Sequence, residues 1–164
     1  MFIHNLLRFF VIVGLAISMT PGQAANKKSK PQVDTPVPAV QKLTQTDVDA
    51  ALNALESVLA AYTEGDYVKF DSLTDPLMIG RGVLTDLARQ SYNKNKQIRI
   101  TLLDTKHSPG EDVLFIQTNW IKHFLALPGM TGMQRRGKTT FVMTSSKEGW
   151  HLSAVSGDNI FRPE

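Results

Sequence analysis

Five side chains in this sequence could do acid–base chemistry on a compact domain: Asp104 and Asp158, His123 and His151, and Tyr62. A carboxyl group in an apolar pocket has its pKa moved toward neutrality, and a phenol can donate to a developing oxyanion. Isomerases and dehydratases need that combination. Asp104 is the best-placed acid, because it shares twofold parity with Ile98, Ile100 and Leu102 and so faces whatever they face. The competing reading is a solvated aspartate at a strand end, just before Lys106 and His107. Asp158, between Gly157 and Asn159, has the composition of a turn cap. His123, between Lys122 and Phe124, reads as a surface histidine. The catalytic candidates are therefore Asp104, Tyr62 and His123, and none sits in a recognisable signature. With four histidines, no cysteine and no metal-ligand spacing, no metal or cofactor is expected, and thiol chemistry and disulfides are excluded.

A second group of residues suits binding better than catalysis. Leu125 to Met133 is predicted as the tip of a hairpin, yet Leu127, Met130 and Met133 put apolar bulk around Pro128, Gly129 and Gly132. Flexible methionines of this kind adapt to a guest or a partner, or the tip folds back on its own domain. Arg135, Arg136 and Lys138 follow at once, with Lys122 and His123 expected across the hairpin. Such a cluster can receive an anionic headgroup, an acidic partner or a membrane surface, or it can guard a strand edge against aggregation. Trp120 is either a pocket wall or, with Phe141, part of the pocket's filling.

The elements that must position these residues come in two blocks. Val48, Ala51, Leu52, Leu55, Val58, Leu59 and Tyr62 recur at helical spacing, with Asp49, Asn53 and Glu56 on the other side. Thr46 and Asp49 predict the capping box and Gly65 the stop. Asp66 is expected to cap a short helix through Phe70 and Leu73 that Asp75-Pro76 ends, and Val83, Leu84, Leu87, Ala88 and Tyr92 form one face of a third. From Gln97 the period becomes twofold. Strands are predicted over Gln97 to Lys106, Glu111 to Phe124, Arg135 to Ser145 and Gly149 to Gly157. In the second of these, Val113, Phe115 and Ile121 occupy one face and Leu114, Ile116, Trp120 and Phe124 the other, so both faces are expected to be covered.

At 164 residues the chain fits one domain able to bury roughly two-thirds of its unfolded surface. Its formal charge of +3 is too weak to argue for nucleic acid. Residues 1–24 have the makings of a secretory signal peptide: Arg8, a short apolar run from Phe9 to Ile17, then Pro21 and Gly22-Gln23-Ala24. That run is short for a spanning helix, so no membrane span is expected after cleavage, and the location is periplasmic or secreted. Residues 25–45 read as a disordered linker with Pro31, Pro36 and Pro38, and 46–162 as the folded domain.

Tyr62-Thr63-Glu64-Gly65-Asp66-Tyr67, a short helix, a third helix, and a meander closing on Gly149-Trp150-His151-Leu152 and Gly157-Asp158-Asn159-Ile160-Phe161 make an order that resembles the nuclear transport factor 2-like (NTF2-like, SnoaL-like) superfamily. The resemblance implies an α+β cone of three N-terminal helices on a curved antiparallel sheet, with a pocket between them. It also implies homodimers through the sheet's outer face, and roles from isomerase and dehydratase to purely structural. It supplies no residue assignments. The expectation is a non-enzymatic domain that engages an envelope protein or an apolar small molecule. A cofactor-free lyase or isomerase is the alternative.

Overall fold

The computed structural model describes residues 43–163. The signal peptide and most of the linker lie outside the described residues. Helix α1 spans Gln45–Glu64, α2 Tyr67–Ser72 and α3 Arg81–Lys94, followed by strands β1 Asn95–Pro109, β2 Val113–Ala126, β3 Thr131–Ser146 and β4 Gly149–Gly157. The strands form one antiparallel sheet in the order β1-β2-β3-β4. This is the α+β cone the sequence predicts.

Helices α1 and α2 begin where a side chain can satisfy their first amides, whereas α3 starts from Gly80 with no side-chain cap. The capping box of α1 is Thr44 with Asp47, two residues before the predicted Thr46 and Asp49. Both pairs have the required spacing. The earlier one places Asp47 to accept from the Thr44 amide at 2.8 Å, while Asp49 accepts from the Gln45 side chain at 2.8 Å. The hydrogen bonds from Thr44 hold the Asp47 carboxyl below its ordinary pKa. Thr44 and Gln45, counted with the linker above, are thus part of the domain. Gly65 ends α1 at φ 76°, where a side chain would meet the Tyr92 ring, and Asp66 caps α2 by accepting from the Lys69 amide at 2.9 Å. On α3 the inward residues are Leu84, Ala88 and Ser91, one turn apart, while Val83 is exposed rather than on the buried face.

The core lies between the helices and the inner face of the sheet. Val48, Ala51, Leu55, Val58 and Tyr62 of α1 meet Leu114, Ile116, Trp120 and Phe124 of β2 and Phe141 and Met143 of β3. Among the described residues nothing lies over the outer face of β2: Phe115, Gln117, Asn119 and His123 are exposed, with Val113 and Ile121 half-buried. Shifts of register between Lys96 and Arg99, Leu103 and Lys106, and Val142 and Met143 reset side-chain parity. The last of these moves Ala154 off the face occupied by Leu152, which Val155 shares instead as partner of Phe141.

The predicted nine-residue tip is much shorter. β2 continues to Ala126 and β3 begins at Thr131, so the turn is Leu127-Pro128-Gly129-Met130, with a cis bond before Pro128. The proline and glycines of this stretch suggest a longer loop than forms. The backbone instead keeps the ladder, with Phe124 opposite Met133 and Leu125 opposite Gly132.

Candidate functional site

The inside of the cone is built by the segment that follows β4. Gly157, at φ 86°, passes within 2.6 Å of the Lys138 carbonyl at the position a side chain would take, and lets the chain turn back under the sheet. Asp158 then fixes the turn: its amide donates to the Lys138 carbonyl and its carboxylate accepts from the Lys138 amide, both at 2.9 Å. The Thr139 hydroxyl donates to the Asp158 carbonyl and accepts from the Trp120 indole at 2.7 Å. Asn159 accepts from the Phe161 amide at 3.0 Å, and Ile160 and Phe161 are fully buried.

Phe161 packs edge-on against Tyr62 at 5.0 Å, Phe70 at 5.1 Å and Phe141 at 6.4 Å between ring centroids. Lys122, expected in the basic cluster of the hairpin, lies on the inner face and is fully buried. Its ammonium donates to the carbonyls of Ile160 at 3.0 Å and Arg162 at 3.1 Å. Its neighbours in phase, Trp120 and Phe124, already signal that inward direction in the sequence.

The catalytic candidates are not brought together. Asp104 lies in the register shift after Leu103 at φ 48°, exposed, and accepts from the Asn119 side chain at 3.3 Å. The shift breaks the parity that linked it to Ile98, Ile100 and Leu102, so it does not enter an apolar pocket. Tyr62 is buried and shares a 2.6 Å hydrogen bond with Ser91, which also accepts from Asn95. His123 is on the outer face in a shallow recess of about 370 Å³ with Arg99, Met133 and Gln134. Acid, donor and base thus occupy three different places. Among the described residues no group of His, Asp and Glu could hold a metal ion.

The binding candidates divide. Trp120, 1% exposed, belongs to the core and fills the cone, which removes it from any binding surface. Gly137 opposite it leaves room for the indole, since a methyl group there would collide with that ring and come within 2.7 Å of Asp158. Leu127, Met130 and Met133 stand 40%, 48% and 47% exposed at the hairpin end. Arg135 is half-buried on the inner side, its guanidinium 6.0 Å from the centre of the Trp120 ring. Arg136 is exposed on the outer face beside Gln134. β4 pairs only with Thr139 to Ser146, so this end of β3 has β2 as its one strand neighbour among the described residues.

Sequence reasoning did not attach Lys94, Lys96 and Arg99 to this end. The register does: Lys96 opposes Leu125, Arg99 opposes His123, and the Leu127 amide donates to the Lys94 carbonyl at 2.8 Å. A separate open groove of about 620 Å³ runs between α1 and β1, lined by Leu59, Ala60, Ile98, Ile100 and Leu102 with Glu56 and Arg99 at its polar side.

This arrangement of helices and sheet is the NTF2-like fold. No family model and no curated protein matches the chain. Solved structures do. An NTF2-like superfamily protein from Salmonella enterica serovar Typhimurium superposes with a TM-score of 0.64 at 12% identity, over 74% of this chain and 94% of its own. An NTF2-like family protein from Streptomyces avermitilis, proposed as a dehydratase, gives 0.62 at 17% identity over 70% and 97%. The association domain of C. elegans CaMKII gives 0.54 at 17% identity over 69% and 95%. Identities this low speak for the fold alone.

Proposed function

We propose that this chain is an exported NTF2-like domain with a non-enzymatic role, binding a partner through the β2–β3 hairpin end. The observation that carries the reading is where its side chains are used. The inside of the cone is occupied by Ile160 and Phe161 and tied down by Lys122, whereas Leu127, Met130, Met133 and Arg136 stand exposed at the hairpin end, outside the buried core. Self-association fits the same reading, because Phe115 and Val142 pair across β2 and β3 on the outer face, with Ile121 further along the same face of β2, and association domains share the fold. A small apolar guest would use the α1–β1 groove.

The test is Leu127→Glu with Met130→Glu, followed by native mass spectrometry of the protein drawn from its host's envelope extract. Loss of a bound mass or of the dimer supports the tip as the binding feature, and unchanged masses rule it out. N-terminal sequencing of the same material tests export, with a chain beginning near Ala25 as the expected result. An Asp104→Asn variant that abolished turnover of an identified substrate would favour the lyase or isomerase alternative.

A further inference from the structure

The hairpin end arranges its chemistry by depth. Leu127 and Met130 stand outermost, on the turn itself, with Met133 a little behind them. Cations follow at increasing distance down the strands. Lys94 is beside the turn, Lys96 is opposite Leu125 with its ammonium 4.6 Å from the centre of the Tyr92 ring, and then come Arg99 and Arg136. With about 3.3 Å of rise per residue, Lys94 and Lys96 sit roughly 5–10 Å behind the tip, and the two arginines roughly 15–20 Å.

No carboxylate on the strands interrupts this end, and the nearest from the helices is Glu56 of α1, which lines the α1–β1 groove with Arg99. The sequence contains neither Asp nor Glu from Asn93 to Leu103, nor from Val113 to Lys147. Both ion pairs found among the described residues, Arg81 with Asp71 and Arg89 with Asp86, belong to the helices. An acidic protein would be matched by cations spread over a flat face. Apolar side chains foremost, two ammonium groups behind them and arginines behind those match a different surface, in which hydrocarbon lies beneath a thin layer of phosphate.

From this order we infer that the β2–β3 hairpin end docks onto an anionic lipid bilayer. The inference rests on the reading of the tip as the binding feature and names its partner. Leu127 and Met130 enter the acyl boundary and Lys94 and Lys96 meet lipid phosphates. Arg99 and Arg136 are attracted from within about a Debye length of the headgroups. The hydrogen bond from Leu127 to Lys94 keeps the apolar and cationic parts in one rigid unit.

The chain has no cysteine, so a single thiol can be placed at will. Met130→Cys in the full chain, labelled with a polarity-sensitive dye, is titrated with vesicles of phosphatidylglycerol in phosphatidylcholine and with phosphatidylcholine alone. Met133→Cys serves if the first variant does not fold. The same dye on Lys147→Cys, in the exposed turn between β3 and β4, reports any attraction due to the dye or the N-terminal segment.

The expected result is a blue shift at the tip label on anionic vesicles and not at residue 147. Partitioning should fall roughly 25-fold when Lys94 and Lys96 become Gln, about fivefold for each charge. A tip label whose emission does not change on anionic vesicles overturns the inference, as does an equal shift on neutral vesicles or indifference to the two lysines. If those lipid tests fail while Leu127→Glu with Met130→Glu still strips a protein mass, the lipid surface falls and the binding role stands. If neither responds, both fall.

Discussion

Lys122 and Arg136 are cations on paired strands of one sheet, one register step apart, and the fold treats them in opposite ways. Lys122 faces inward, is fully buried, and gives its protons to the carbonyls of Ile160 and Arg162. Arg136 faces outward, in solvent, on an end with no carboxylate from Val113 to Lys147. The inner face completes its hydrogen bonds within the chain because water cannot reach them, and an unmet buried donor costs free energy. The outer face leaves its charge in solvent, where Arg136 is met only by the neutral side chain of Gln134 among the hydrogen bonds of the described residues. The contrast separates the residues that hold this domain together from those left available for something else.

Several measurements sharpen or break that contrast. Phe161→Ala should be the most damaging change, lowering stability by about 3–5 kcal/mol in urea denaturation, because it empties the space between three aromatic rings. Lys122→Met should cost about 2–3 kcal/mol by releasing two carbonyls, and hydrogen exchange should show the amides of residues 158–162 losing protection first. A loss of protection spread evenly over the sheet would mean that Lys122 does not hold that segment in particular.

Tyr67→Phe should be neutral or slightly stabilising near pH 7, since the Tyr67 hydroxyl is buried without a hydrogen-bond partner. Burial, with Tyr92 nearby, raises the Tyr67 phenol above its ordinary value of 10.0. The neutral form is therefore favoured in the folded state. Its contribution to stability is complete below the unfolded pKa and is lost as pH climbs through the folded one. Thermal melts between about pH 9 and 11 should fall less steeply for the Phe variant. Arg136→Gln should change stability least, within about 0.5 kcal/mol, as expected of an exposed cation outside the core.

The fold was largely legible because its signals are local and repeated. The apolar rhythm of α1, Gly65 as its stop, Asp66 as the next cap and the four alternating strands each follow from side-chain spacing. Parity was reliable only between register shifts, and the shift between Leu103 and Lys106 accounts for the misplaced face of Asp104. The candidate site was half legible. Leu127, Met130, Met133 and Arg136 were found from composition, but Lys94, Lys96 and Arg99 join them only through strand pairing, which spacing along the chain does not encode. Lys122 was assigned to a surface because its charge suggested function, when its shared phase with Trp120 and Phe124 pointed inward.

The aromatic cluster also sets an order of events in biosynthesis. Tyr62 and Phe70 are made early, yet the ring that packs between them and the sheet is Phe161, which emerges only after all four strands. Until then the helices have no completed surface to pack on, and the closing contacts span nearly the whole domain. The aromatic cluster can therefore close only once the last strand has been made.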